Sequence, residues 1–212
     1  MVSADRNVSK TKPAVEGKRT VYIADMFCYG SSRDFVGING IVGCMGVFVS
    51  CGQTLYAVHM PDSPNYDEAG RIAFAQFVTG SGGWNAANAT MIGALNNNER
   101  PGANAELTDL ARRLGVGSFR LVRLRKNIDF TATRAPVAVV VLCLFDPPGT
   151  TSGIQLRYQM DKNVRWDKGK GEAQAGRYRA MRDDELLSVN PAWGSGWQQV
   201  DGTNSDISLV KV

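Results

Sequence analysis

Histidine is almost missing from this chain: His59 stands alone among 212 residues. A single imidazole cannot build a His-rich metal centre, and four cysteines (Cys28, Cys44, Cys51 and Cys143) without a CxxC spacing do not supply a zinc site. Free thiols, no bound metal and no cofactor are therefore expected. Long apolar runs are missing too. Val137 to Phe145 is the longest, well short of the ~20 residues that a membrane helix requires, so it reads as a buried strand and no membrane partner is expected. The N-terminal stretch lacks the apolar segment of a signal peptide. The protein is accordingly expected in the cytoplasm of the producing cell.

Charge of one sign is scarce: 24 basic against 20 acidic side chains leave a net charge of +4. The densest cluster is Arg112, Arg113, Arg120, Arg123, Arg125 and Lys126, with no acidic residue between Leu110 and Ile128. No nucleic-acid-binding motif accompanies it. Cations suit a helix C-terminus, so it reads as a helix end followed by an exposed strand face, and nucleic acid is not an expected partner.

What is present is a globular pattern, 43% hydrophobic and 21% charged, long enough for a core without staples. Residues 1–18 are polar and read as a flexible N-terminal tail; 19–146 read as the core, and 147–212 as a C-terminal extension packed on it. Strands are predicted over Thr20–Phe27, on both sides of Gly52, and over Ala89–Leu95, Ser118–Arg125, Ile128–Thr131, Pro136–Phe145, Ile154–Met160 and Ile207–Val212. Helices are predicted over Asp67–Thr79 and Ala103–Leu114, stopped by Gly80 and Gly115. The order implies an α+β fold: a layered mixed β-sheet or sandwich core with two packed helices.

Chemistry concentrates around Gly52. Val47, Phe48 and Val49 on one side and Leu55, Tyr56 and Val58 on the other form a hairpin pattern. A two-residue loop at Cys51–Gly52 makes Ser50 face Gln53 and Cys44 face His59, with Cβ atoms roughly 4.5–5.5 Å apart. A thiol beside an imidazole is the minimum equipment for nucleophilic catalysis. Met45, Val47, Val49, Tyr56 and Val58 then form the core-facing side. On the other side Gly46 and Ala57 are expected as a small facing pair that leaves room for a substrate. A one-residue slip would separate the two groups.

With these residues placed, the chain resembles the CheD-like glutamine deamidases and, more distantly, the catalytic domain of cytotoxic necrotizing factor toxins. The resemblance rests on Gly43-Cys44 entering a strand, His59-Met60-Pro61, the stretch Ala89 to Asn96, the helix Ala103 to Leu114, and Arg125-Lys126 before Asn127 to Phe130 and Val137 to Val141. It spans roughly Thr20 to Phe145. The family has Ser before its Cys where Gly43 stands here, and a catalytic Thr where Ile38 stands.

The resemblance implies a CheD-like fold and a protein substrate whose glutamine is hydrolysed to glutamate by Cys44 and His59. Backbone N–H groups around Gly43 are oxyanion candidates. Asn39, or a carbonyl of the first strand near Ile23, is the candidate orienter of the imidazole. The flexible N-terminus, the missing signal peptide and the extra C-terminal segment suggest a bacterial effector or toxin delivered to a host or target cell. Transglutamination and cysteine proteolysis could use the same pair. A non-catalytic, strand-rich binding or capsid subunit is the alternative from another class.

Overall fold

A computed structural model describes residues 19–24, 28–33, 35–61, 64–96, 100–124, 139–145, 153–160, 178–180, 187–189 and 197–212. The expected tail over 1–18, the strand at Ile128–Thr131 and the Arg125–Lys126 pair lie outside these residues.

The elements follow in the order β1 (Arg19–Ala24), β2 (Cys28–Ser32), β3 (Phe35–Ile41), β4 (Met45–Cys51), β5 (Thr54–Met60), α1 (Pro64–Thr79), β6 (Thr90–Leu95), α2 (Ala103–Leu114) and β7 (Ser118–Leu124). Then come β8 (Val139–Phe145), β9 (Ile154–Met160), β10 (Arg179–Ala180), β11 (Leu187–Val189), β12 (Gln198–Gln199) and β13 (Ser205–Lys211). They build two mixed sheets. One has the strand order β11-β1-β3-β8-β9-β12, the other β10-β2-β5-β4-β6-β7-β13. The fold is thus α+β and layered. The residues after 147 do more than pack outside: β9 and β12 extend the first sheet, and β13 closes the second along seven facing pairs with β7.

Side-chain alternation along the strands explains the layering. In the second sheet Met45, Val47, Val49, Tyr56, Val58 and Met60 join Phe74, Val78, Leu107, Leu110 and Leu114 in a core under the two helices. The opposite face sends Phe48, Leu55, Ala57, Ile92, Ala94 and Val122 against Ile38, Ile41, Val141 and Leu156 of the first sheet. Both faces of the β4–β5 hairpin are therefore buried, whereas the sequence suggested one apolar side and one open side. The helix α2 connects the parallel neighbours β6 and β7, as a parallel pair requires. Gly115, at φ 72°, ends it where the sequence places the stop. Helix α1 starts at Pro64 rather than Asp67, because proline suits a first helical position.

The basic run disperses. Arg112 and Arg113 occupy the last turn of α2, Arg113 pairs with Asp109 at 2.9 Å and with Glu68 at 3.4 Å, and Arg120 and Arg123 fall on opposite faces of the sheet by pairing with Leu209 and Asp206. Among the described residues, no helix is long and apolar enough to cross a membrane.

Candidate functional site

The bend of the hairpin differs from the expected one. Cys51 faces Thr54, so Gly52 and Gln53 form the two-residue loop, and Gly52 adopts φ 56°. Primed turns need positive φ at the first loop position, which puts the glycine there rather than second. The ladder moves by two residues. Ser50 faces Leu55 instead of Gln53, and His59 faces Gly46 instead of Cys44.

A shift of two keeps the faces, since side chains alternate with a period of two. Met45 faces Met60 on one side and Leu95 on the other. Cys44 therefore stands one step beyond, between Pro61 and Asn96, diagonal to His59. Such diagonal positions lie roughly 7–8 Å apart, with Cβ atoms somewhat closer. Cys44, His59 and Asn96 share the inter-sheet face at one end of the sheet. Cys44 is 9% exposed and His59 and Asn96 are 1% exposed, so the thiol is the outermost of the three.

The space expected beside Gly46 is filled. A Cβ placed there would lie 2.9 Å from Ile38 Cδ1 and 3.1 Å from Ile41 Cδ1. No substrate groove runs along that side of the hairpin, because β3 of the other sheet covers it. Among the described residues, the strand end at Gly43 and Pro61 is the side of Cys44 that β3 does not cover.

Two further contacts hold this corner. The Asn96 side-chain amide donates to the Ile41 carbonyl at 3.1 Å, tying the second sheet to the first. Arg100, 5% exposed, donates from Nη1 to the Met60 carbonyl at 3.2 Å and from Nη2 to Glu106 Oε2 at 2.7 Å. The chain just after His59 is thus pinned to the first turns of α2.

The other sequence candidates are spread around this corner. Gly43 lies in the bend that precedes Cys44 and is half-buried. Asn39 is buried within the irregularity of β3 between Ile38 and Ile41, where Gly40 takes φ 64°. Its side-chain oxygen accepts no hydrogen bond from a described residue. Ile23 lies in β1 opposite Gly37, in the other sheet from His59. Sequence reasoning gave no role to Asn96 or Arg100. Asn96 ends an apolar strand, which was a visible signal, but its neighbourhood with Cys44 depends on the β4–β6 register.

The remaining thiols are placed differently. Cys51 accepts from the Asn85 backbone N–H at 3.3 Å and anchors the hairpin tip to the loop after α1. Cys143 is fully buried in β8; burial pushes its thiol far above the ordinary range, and Arg120 opposes this only in part. No family model matches the chain, and no curated protein matches it.

Proposed function

We propose that the chain is a cysteine-dependent protein-glutamine deamidase. The observation that carries this reading is the placement of Cys44 and His59 on one face at one end of the sheet, with the thiol outermost. The Cys44 sulfur would attack the side-chain amide carbon of a substrate glutamine while His59 accepts the thiol proton. The C–N bond then breaks, the imidazolium returns the proton to the departing ammonia, and a thioester remains. Water, deprotonated by the same imidazole, cleaves the thioester to glutamate and frees the thiol.

Gly43 suits the oxyanion role because a residue without a side chain lets a carbonyl approach the backbone closely. Asn96 flanks the nucleophile, and its bond to Ile41 fixes the two sheets around it. Arg100, paired with Glu106, donates to the Met60 carbonyl and so fixes the backbone next to His59.

The dyad is tested without knowing the target. Iodoacetamide at pH 6–7 should alkylate Cys44 faster than Cys28, Cys51 or Cys143, and His59→Ala should slow Cys44 selectively. Uniform labelling would refute the pair. The reaction itself is read by mass spectrometry of proteins incubated with the chain: a mass gain of about 1 Da at glutamine, absent with Cys44→Ser, marks deamidation, whereas an amine adduct or a cleaved chain marks transglutamination or proteolysis. Delivery to another cell as an effector rests on the polar N-terminal residues and the C-terminal extension, and confinement to the producer's cytoplasm in co-culture would count against it.

The competing reading, a non-catalytic binding or assembly module, draws on the edge strand β13, where Ile207 and Leu209 are 44% and 67% exposed. Large particles on size exclusion together with an inert Cys44 would favour it.

A further inference from the structure

Arg120 occupies a place that the chemistry above does not use. Along β7, Phe119 and Leu121 pack under the helices while Val122 and Leu124 pack between the sheets, so Arg120 projects toward the inter-sheet side. Its rung runs from Ile92 in β6 to Leu209 in β13. There the sheets part around a half-open cleft of about 130 Å³, lined by Ile92, Val122, Ile154, Leu156, Val200 and Ile207 together with Gln155 and Gln199.

Among the described residues no carboxylate pairs with the guanidinium at this cleft. Among the described residues the arginine ion pairs are those of Arg71, Arg100 and Arg113 with Asp109, Glu106 and Glu68, all on the helical side of the sheet. None of these described carboxylates lies within ion-pair distance of Arg120. A guanidinium in a half-open cleft that also holds aliphatic side chains favours a planar anion that takes two parallel hydrogen bonds.

We propose that the cleft binds a small aliphatic monocarboxylate, with its carboxylate on Arg120 and a short tail between Val122, Ile154, Leu156 and Ile207. Size sets the tail: a cavity near 150 Å³ accepts a benzene-sized guest, so about four to six carbons fit. The site is separate from the thiol. His59, Gly46, Ala94, Val122 and Ile207 follow one another across five strands, which at the usual strand spacing puts Val122 about 14 Å and Ile207 about 19 Å from His59. The proposal therefore stands whether or not the chain is a deamidase.

The test is a methyl NMR titration of the full chain with hexanoate, hexanamide serving as the uncharged control. Saturable shifts at Ile92, Ile154 and Ile207, with a Kd on the order of 1 mM or tighter, are expected for a ligand of this size. Hexanamide and the Arg120→Gln variant should each weaken binding at least tenfold, and Arg120→Lys should retain part of it. If Arg120→Gln disturbs the spectrum beyond the cleft, the comparison of the two ligands on the unaltered protein decides. Absence of saturation up to ~20 mM, equal binding of hexanamide, or unchanged binding to a well-folded Arg120→Gln protein overturns the proposal.

Discussion

Gly46→Ala is the substitution that most directly probes how the two sheets close over the hairpin. Its new methyl group would meet Ile38 Cδ1 at 2.9 Å and Ile41 Cδ1 at 3.1 Å, and both isoleucines are fully buried. Ordinary carbon contacts need ~3.5–4.0 Å, so at least one isoleucine must shift within a core that has no spare volume. Overpacking of this kind costs about 1–3 kcal/mol. Replacing a strand glycine by alanine recovers about 0.5–1 kcal/mol of backbone entropy. The net expectation is a loss of up to roughly 2.5 kcal/mol, or a Tm lower by up to about 10 °C for a chain of this size. Ile38→Val removes the nearer clashing methyl. Alone it should cost about 0.5–1.5 kcal/mol, but in the Gly46→Ala background the cost should shrink by at least ~0.5 kcal/mol. Chemical denaturation of the four proteins of this cycle gives the coupling. Strictly additive losses would refute the close approach of β3 to β4.

Two other outcomes are expected. For Asp109, burial alone would raise the carboxyl, but the hydrogen bonds from Arg113 and Arg71 outweigh it and hold the group below its ordinary range. Its folded value lies below the unfolded one, so its contribution is present at neutral pH and is lost as pH falls below about 4 through the folded value. With a third of the side chain in solvent, Asp109→Asn should cost no more than ~1 kcal/mol at pH 7, and melting curves of the two proteins should converge in acid. Asn96→Ala leaves the buried Ile41 carbonyl without its 3.1 Å donor, an expected cost of about 1–3 kcal/mol; hydrogen exchange at the β4 and β6 ends should rise with it, and unchanged protection would show that the bond does not join the sheets.

The local parts of the fold were legible and the assembly was not. Helix α2 was bounded correctly because Leu107, Leu110, Ala111 and Leu114 repeat with helical spacing and Gly115 stops them. Strand β9 was bounded correctly by its run from Ile154 to Met160. Strand β2 was missed since Cys-Tyr-Gly-Ser-Ser has the composition of a loop; its extended form comes from pairing with β5 and β10, a tertiary effect that overrides propensity. The strands β10, β11 and β12 span two or three residues each and carry no periodicity. At the site, the shared face of Cys44 and His59 was readable from alternation alone. Their facing was not, because one glycine can fill either position of a two-residue loop until φ is known. Nothing near Gly46 in sequence foretold that Ile38 and Ile41 would occupy its side, for that contact joins different sheets.

The loop at Gly52–Gln53 also limits how this hairpin can change in length. Adding one residue to the β5 arm would turn the imidazole toward the helices and leave the sulfur facing the other sheet, and adding one to the β4 arm would do the reverse. Adding two would restore the shared side, at a different diagonal. Homologues that keep this chemistry should therefore vary the distance from thiol to imidazole in even steps, and a natural variant with an odd step should carry a compensating bulge elsewhere in the pair of arms.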